Sequence, residues 1–159
     1  MGEIEYRLAT EDDTEVLARI RWDSWLENGQ DPPVVDQETF VRECGQILKQ
    51  RLLSRQWTYW IATLEGEIIS QIFIQRIAKV PKPSKIQDAF GYVTNVYTRP
   101  AYRGQGIGSR LLAQVKAWAK TQDLEFLILW PSEESLSFYE RAGFAPGEAV
   151  EYSVRPYVG

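Results

Sequence analysis

The chain has 159 residues, of which 44% are hydrophobic and 25% charged, with a net charge of −4; this is the make-up of one globular domain, residues 1–159, and excludes disorder as a description of the whole. One cysteine, Cys44, excludes a disulfide framework and a cysteine zinc site, and the lack of histidine excludes imidazole bases, imidazole metal ligands and every relay built on them. The negative charge argues against nucleic acid, no run approaches the ~18–20 apolar residues of a membrane span, and Met1–Thr10 has no targeting pattern, so a cytoplasmic monomer or homodimer is expected.

Ile4, Tyr6 and Leu8 alternate with Glu5 and Arg7, which predicts a strand. Thr10 offers a helix cap, and Glu11, Asp12 and Asp13 suit the positive end of a helix dipole. The first helix is expected to run to about Trp25 and to end at Asn28-Gly29. Asp36 caps a second helix with the stripe Phe40, Val41, Cys44, Ile47, Leu48 and Leu52. Cys44 reads as a small core hydrophobe, because no basic partner is near it in sequence.

Trp57–Leu64 and Ile68–Arg76 read as strands joined by a tight turn at Glu65-Gly66. Residues 78–89 read as an exposed loop, and Phe90–Thr98 as a third long strand ended by Arg99-Pro100. A glycine-dense loop, Gly104–Gly108, leads into a helix to about Thr121 with Leu111, Leu112, Val115 and Trp118 inward. Phe126–Trp130 reads as a buried parallel strand. Ser132 caps a helix holding Leu136, Phe138 and Tyr139, Gly143 ends it, and residues 144–159 add a last strand. The order βααββ, then βαβα and a tail strand, predicts a mixed α+β sheet, mostly antiparallel, with one parallel pair and about four helices.

Chemistry concentrates at Arg103-Gly104-Gln105-Gly106-Ile107-Gly108-Ser109. Three glycines in five positions let backbone N–H groups converge on one point, and the following helix adds free first-turn donors. Such a loop suits an anion, a pyrophosphate better than a small ion, with Arg103 as a charge at its mouth. A Walker reading fails for lack of Lys-Ser/Thr after Gly108, and a dinucleotide reading meets Ser109 where its third glycine belongs. A third pattern, Arg/Gln-x-x-Gly-x-Gly/Ala, is met by Arg103, Gly106 and Gly108.

The span Tyr92–Leu112, YVTNVYTRPAYRGQGIGSRLL, resembles the acyl-CoA-binding motif of the GNAT superfamily of N-acetyltransferases. PSEESLSFYERAGF, Pro131–Phe144, resembles that family's second motif, and YRLATEDD, Tyr6–Asp13, its opening. The resemblance implies the GNAT fold, a six- to seven-stranded sheet with a splayed parallel pair, and acetyl-CoA as co-substrate for N-acetyl transfer to an amine. It implies that Arg103, Gly104, Gln105, Gly106, Ile107, Gly108 and Ser109 hold the CoA pyrophosphate. Val96, Tyr97 and Thr98 would pair with the pantetheine arm, with an N–H near Val96 or Tyr97 on the thioester carbonyl, and Ser132 and Ser135 would lie on the arm's other side. Tyr139 matches the family's acid for the leaving thiolate.

One departure stands out. Tyr92 occupies the position where many family members carry a glutamate base. Asn95 could order a proton-carrying water instead, or an acid of the first helices, Asp23 or Glu27, could be the base. Loss of the glutamate keeps open an alternative, an acyl-CoA-binding regulatory module with weak catalysis. Residues 1–50 hold 12 acids and 5 bases; if the first two helices wall the acceptor site, that surplus favours cationic amines. Trp22 and Trp25 are candidates for lining the acceptor pocket.

Overall fold

The computed structural model describes residues 2–29 and 31–155. Its elements are β1 (Glu5–Leu8), a 3-10 turn (Glu11–Asp13), α1 (Thr14–Glu27), α2 (Gln37–Leu53), β2 (Trp57–Leu64), β3 (Glu67–Ala78), β4 (Ala89–Thr98), a second 3-10 turn (Pro100–Tyr102), α3 (Ile107–Thr121), β5 (Leu127–Ile128) and α4 (Leu136–Arg141). The strands form one sheet in chain order, antiparallel except for the parallel β4–β5 pair.

Local chemistry explains most boundaries. Asp36 accepts the Thr39 N–H at 2.8 Å and caps α2. Thr10 is the N-cap, as expected, but of the 3-10 turn: Asp13 reaches back to the Thr10 N–H at 2.7 Å and also binds Arg7 at 2.8 Å. The chain therefore makes a 3-10 turn before the α-helix begins. Glu65 and Gly66 both take positive φ, 51° and 82°, as the tight β2–β3 turn requires. Residues 79–88 form the expected loop, but Asp88 in it is buried, with Lys79, Lys82 and Lys85 ammonium groups 3.6–3.8 Å away.

α1 and α2 cover one sheet face, where Leu17, Ile20, Val41 and Leu48 pack on Tyr59, Ile61 and Phe73. α3 and α4 cover the other, where Leu111, Leu112, Val115 and Tyr139 pack on Ile72, Ile74 and Val93. Ile47, expected on the inward stripe of α2, is 46% exposed; the stripe turns inward at Val41, Cys44 and Leu48.

The sheet has five strands rather than six or seven, because residues 144–155 form none. Val150, Tyr152 and Val154 alternate as a strand would, yet all three are exposed. A period-two pattern becomes a strand only where an edge bonds it and a face covers it, and Pro146-Gly147 carries the chain off without either. The end of that predicted strand, 156–159, lies outside the described residues.

The β4–β5 pair is short and tight. Gly91 opposes Leu127 and Tyr92 opposes Ile128; before them the Glu125 N–H donates to Ala89 O and the Gly91 N–H to Phe126 O, and past Tyr92 and Ile128 no pairing continues among the described residues. A Cβ at Gly91 would stand 2.7 Å from the Leu127 side chain, 3.1 Å from that of Ile74 and 3.2 Å from that of Leu124, so any other residue would push these side chains aside. Gly91→Ala is expected to cost about 1–3 kcal/mol by overpacking. Gly147→Ala, with open space around the added methyl, should change stability by less than about 0.5 kcal/mol. Urea unfolding of both variants at unchanged m-value checks the pair.

Candidate active site

Past Tyr92 and Ile128 the two parallel strands separate. β4 bulges at the same place: Phe73 pairs with Thr94 and Gln71 with Tyr97, so Asn95 and Val96 together oppose Ile72. Asn95 sits at φ +50°, a left-handed conformation that asparagine tolerates better than most residues. Gln71, 1% exposed, donates from Nε2 to the Asn95 carbonyl at 3.3 Å and braces the bulge from beneath.

A cavity of about 400 Å³ fills the gap. Asn95, Val96, Tyr97, Ser132, Ser135 and Tyr139, six of the residues expected from the sequence, line it together, with Tyr92 among them. Thr98 and the whole of Arg103–Ser109 lie outside it, around the start of α3. A larger cleft of about 880 Å³ lies between α1 and α2 and is lined by no residue of 92–112 or 131–144.

Tyr139 is 7% exposed, and burial pushes its phenol above the ordinary value. The Schellman end of α4 fixes it: the Gly143 N–H donates to Glu140 O and the Phe144 N–H to Tyr139 O, both at 3.0 Å, while Phe144 packs edge-on against the Tyr139 ring. Gly143, at φ +95°, supplies the left-handed turn that this requires. α4 starts at Leu136, later than expected, and Ser132 does not cap it. Ser132 and Ser135 instead close a turn on each other, Oγ to Oγ at 2.9 Å, with the Ser135 N–H reaching Ser132 Oγ at 3.2 Å.

At the glycine loop, Gly104 and Gly106 take φ +75° and +77°, and Gly106 is the N-cap of α3. No atom lies within 4 Å of where a Cβ on Gly104 would stand, and only the Arg110 guanidinium approaches Gly106. The loop thus presents bare backbone to open space. Arg103 does not stand free at its mouth: Nε donates to Thr98 O at 2.8 Å and Nη2 to Glu27 at 2.7 Å.

The acids of α1 are occupied in the same way. Glu27 binds Arg103 and accepts the Tyr97 hydroxyl at 3.0 Å; the Arg103 guanidinium chiefly, and the tyrosine after it, hold its carboxyl below the usual range. Asp23 pairs with Arg99 at 3.5 Å. Neither lines the cavity, and each is held in an ion pair, although Glu27 reaches the lining residue Tyr97 through its hydroxyl. Trp22 packs on Phe40 and Trp25 bonds the Asp31 carbonyl, so neither tryptophan lines the cavity; Trp130 does, edge-on to Tyr92.

Sequence reasoning missed Arg21, Ser24 and Asn28 of α1, which line the cavity. Their i, i+3, i+7 spacing was the available signal, a polar stripe beside the apolar one. It also missed Gln71, a buried amide in the apolar stretch of β3.

Comparison with known proteins decides the family. Residues 14–144 match the model of the Acetyltransferase (GNAT) family. The chain belongs to the GNAT family. It is 35% identical over 68 residues, 43% of the chain, to a glucosamine 6-phosphate N-acetyltransferase of Trypanosoma brucei brucei; that segment is 46% of the relative, and the chain spans less than half the length of the curated relatives it matches. A predicted acetyltransferase of Clostridium acetobutylicum, crystallised with acetyl-CoA, superimposes with a TM-score of 0.78 at 27% identity over 96% of this chain and 97% of that one. A GCN5-related N-acetyltransferase of Ralstonia eutropha JMP134 gives 0.74 at 27% identity over 99% and 100%.

The ion pairing of Glu27 fixes an expectation that separates structure from catalysis. Glu27→Gln should keep kcat within about threefold, where loss of a general base would cost about 10²–10⁴-fold. Because the Glu27 pKa is depressed, its contribution to stability is present above the unfolded carboxylate value and is lost as pH falls through the lowered one. Denaturation from pH 7 to 3 should therefore show the variant and wild type converging only in acid, with a difference at neutral pH of no more than about 1 kcal/mol for so exposed a pair.

Proposed function

We propose that this chain transfers the acetyl group of acetyl-CoA to a primary amine, on a small molecule or on a protein lysine or N-terminus, by direct attack, with Tyr139 as general acid. The observation that carries the reading is a buried tyrosine, kept protonated by its surroundings, lining the gap where β4 and β5 part. The residues present fit the co-substrate: bare backbone at Gly104 and Gly106 suits a pyrophosphate, and β4 beyond Tyr92 has an edge that β5 leaves unpaired among the described residues.

When bound, acetyl-CoA supplies an acyl group already activated as a thioester. The amides of Gly104 to Ser109, with the first turn of α3, hold the pyrophosphate, and the Arg103 and Gln105 backbone shapes the turn. Val96, Tyr97 and Thr98 take the pantetheine arm as an added strand, with Ser132 and Ser135 opposite. An N–H near Val96 or Tyr97 polarises the carbonyl oxygen. Asn95 orders a water that takes the amine proton. Tyr139 donates its phenolic proton to the departing thiolate. Thiol and phenol have reference pKa values near 8.5 and 10, so this transfer helps only modestly.

A second reading, an acyl-CoA-binding regulatory module with weak catalysis, draws on Tyr92 and on a cavity without a carboxylate among its described residues. Release of free CoA from acetyl-CoA over a panel of amines separates the two. Glucosamine 6-phosphate belongs in the panel, since the T. brucei relative is named for it.

Tyr139→Phe keeps the ring and removes the hydroxyl. Turnover should fall about a hundredfold with acetyl-CoA affinity nearly intact; wild-type turnover under rate-limiting chemistry would refute the acid. Acetyl-CoA should raise the thermal midpoint of the wild-type protein by mass action. Gly106→Val should abolish that rise, because a β-branched residue resists φ +77° and covers the open backbone.

A further inference from the structure

The charges around α1 are sorted. Arg99 and Arg103, on the loop side, are matched by Asp23 and Glu27. Arg21 is matched by nothing: among the described residues it forms no ion pair, and it is the one charged side chain lining the cavity. Its guanidinium lies over the Trp25 ring, 5.4 Å from the centroid, which orients it without neutralising it. Asn28, at the C-cap of the same helix, adds an amide beside it, while the Ser24 hydroxyl donates to the Arg21 carbonyl at 3.1 Å. A half-buried guanidinium without a partner, facing a polar cavity, is a site for an anion.

That anion is not the pyrophosphate of the glycine loop. Glu27, which grips Arg103 at the mouth of that loop, is six residues along α1 from Arg21, about 9 Å at 1.5 Å per residue. Arg21 lines the cavity together with Thr94 and Asn95 of the bulge, whereas Arg103–Ser109 lie outside it. The cavity, about 400 Å³, would be shared with the acyl end of the donor, and the space that remains suits a small acceptor.

Building on the transferase reading, we infer that the acceptor is a small primary amine that also carries an anionic group, a phosphate or a carboxylate, and that Arg21 binds this group and sets specificity. The amine itself must be neutral to attack, so a fixed cation at the other end of the acceptor's pocket also disfavours protonated polyamines.

The test compares wild type, Arg21→Gln and Arg21→Lys by kcat/KM from free CoA release. Two matched amine pairs distinguish the anions: glucosamine 6-phosphate against glucosamine, and β-alanine against β-alaninamide. The wild-type protein should prefer the anionic member of one pair by about tenfold or more. Arg21→Gln should cut that preference by about 10- to 100-fold, the loss of one charged hydrogen-bonding partner, and Arg21→Lys should restore part of it. A binding readout needs no turnover: with CoA saturating, inorganic phosphate or succinate should raise the thermal midpoint of the wild-type protein and not of Arg21→Gln. No anionic preference in either pair, a preference that survives Arg21→Gln, or no Arg21-dependent stabilisation by either anion would overturn the inference. A protein that releases no CoA with any amine contradicts the transferase reading instead, and the anion-binding result still decides the role of Arg21.

Discussion

Two residues of β5 pair with β4, and there the sheet comes apart. Gly91 lets Leu127 approach, Tyr92 and Ile128 close the last rung, and the bulge at Asn95 turns β4 aside from its former line. Everything about the site follows from this divergence. A continuous sheet would have bonded the β4 edge and filled the space with side chains. The parted sheet leaves a backbone edge free and opens a passage between the face covered by α1 and the face covered by α4, so Arg21 and Tyr139, which belong to opposite layers, line the same cavity.

The opening is held by contacts that lie beneath or beside it. Gln71 fixes the bulge through the Asn95 carbonyl, and Ser70 bonds Thr98 across the resumed ladder at 2.8 Å. On the other side, the Schellman turn at Gly143 and the edge-on packing of Phe144 lock the Tyr139 ring. α1 is tied to the end of β4 and the turn after it by Asp23, which pairs with Arg99, and by Glu27, which holds Tyr97 and Arg103. These exposed pairs contribute little stability individually; their effect is positional, holding α1 at the height where its polar stripe meets the gap.

Much of this was legible in the sequence because it rests on local chemistry. The glycines of Gly104–Gly108, the Gly143 exit and the Asp36 cap each declare a backbone conformation or a hydrogen bond within a few residues. What could not be read is what depends on distance. Asp23 and Glu27 looked like free acids, and their arginines lie 76 positions away. Segment charge gives no side-chain direction: Asp23 and Glu27 face Arg99 and Arg103, Asp13 faces Arg7 and Glu15 faces Arg19. Trp22 packs on Phe40 of α2, and Trp25 stands beside the cavity, under the Arg21 guanidinium, without lining it. The tail pattern Val150-Tyr152-Val154 had a strand's period without a strand's neighbour.

The central claim is that the parted strands form a thioester site with Tyr139 at its reacting end. A crystal structure of the protein with CoA tests it most directly. The account predicts the pyrophosphate on the amides of Gly104 to Ser109, the pantetheine arm along Val96 to Thr98, and the sulfur within about 3–3.5 Å of the Tyr139 hydroxyl, allowing for a sulfur acceptor. CoA bound in the cleft between α1 and α2, or threaded through the gap with its sulfur out of hydrogen-bond reach of Tyr139, would contradict it.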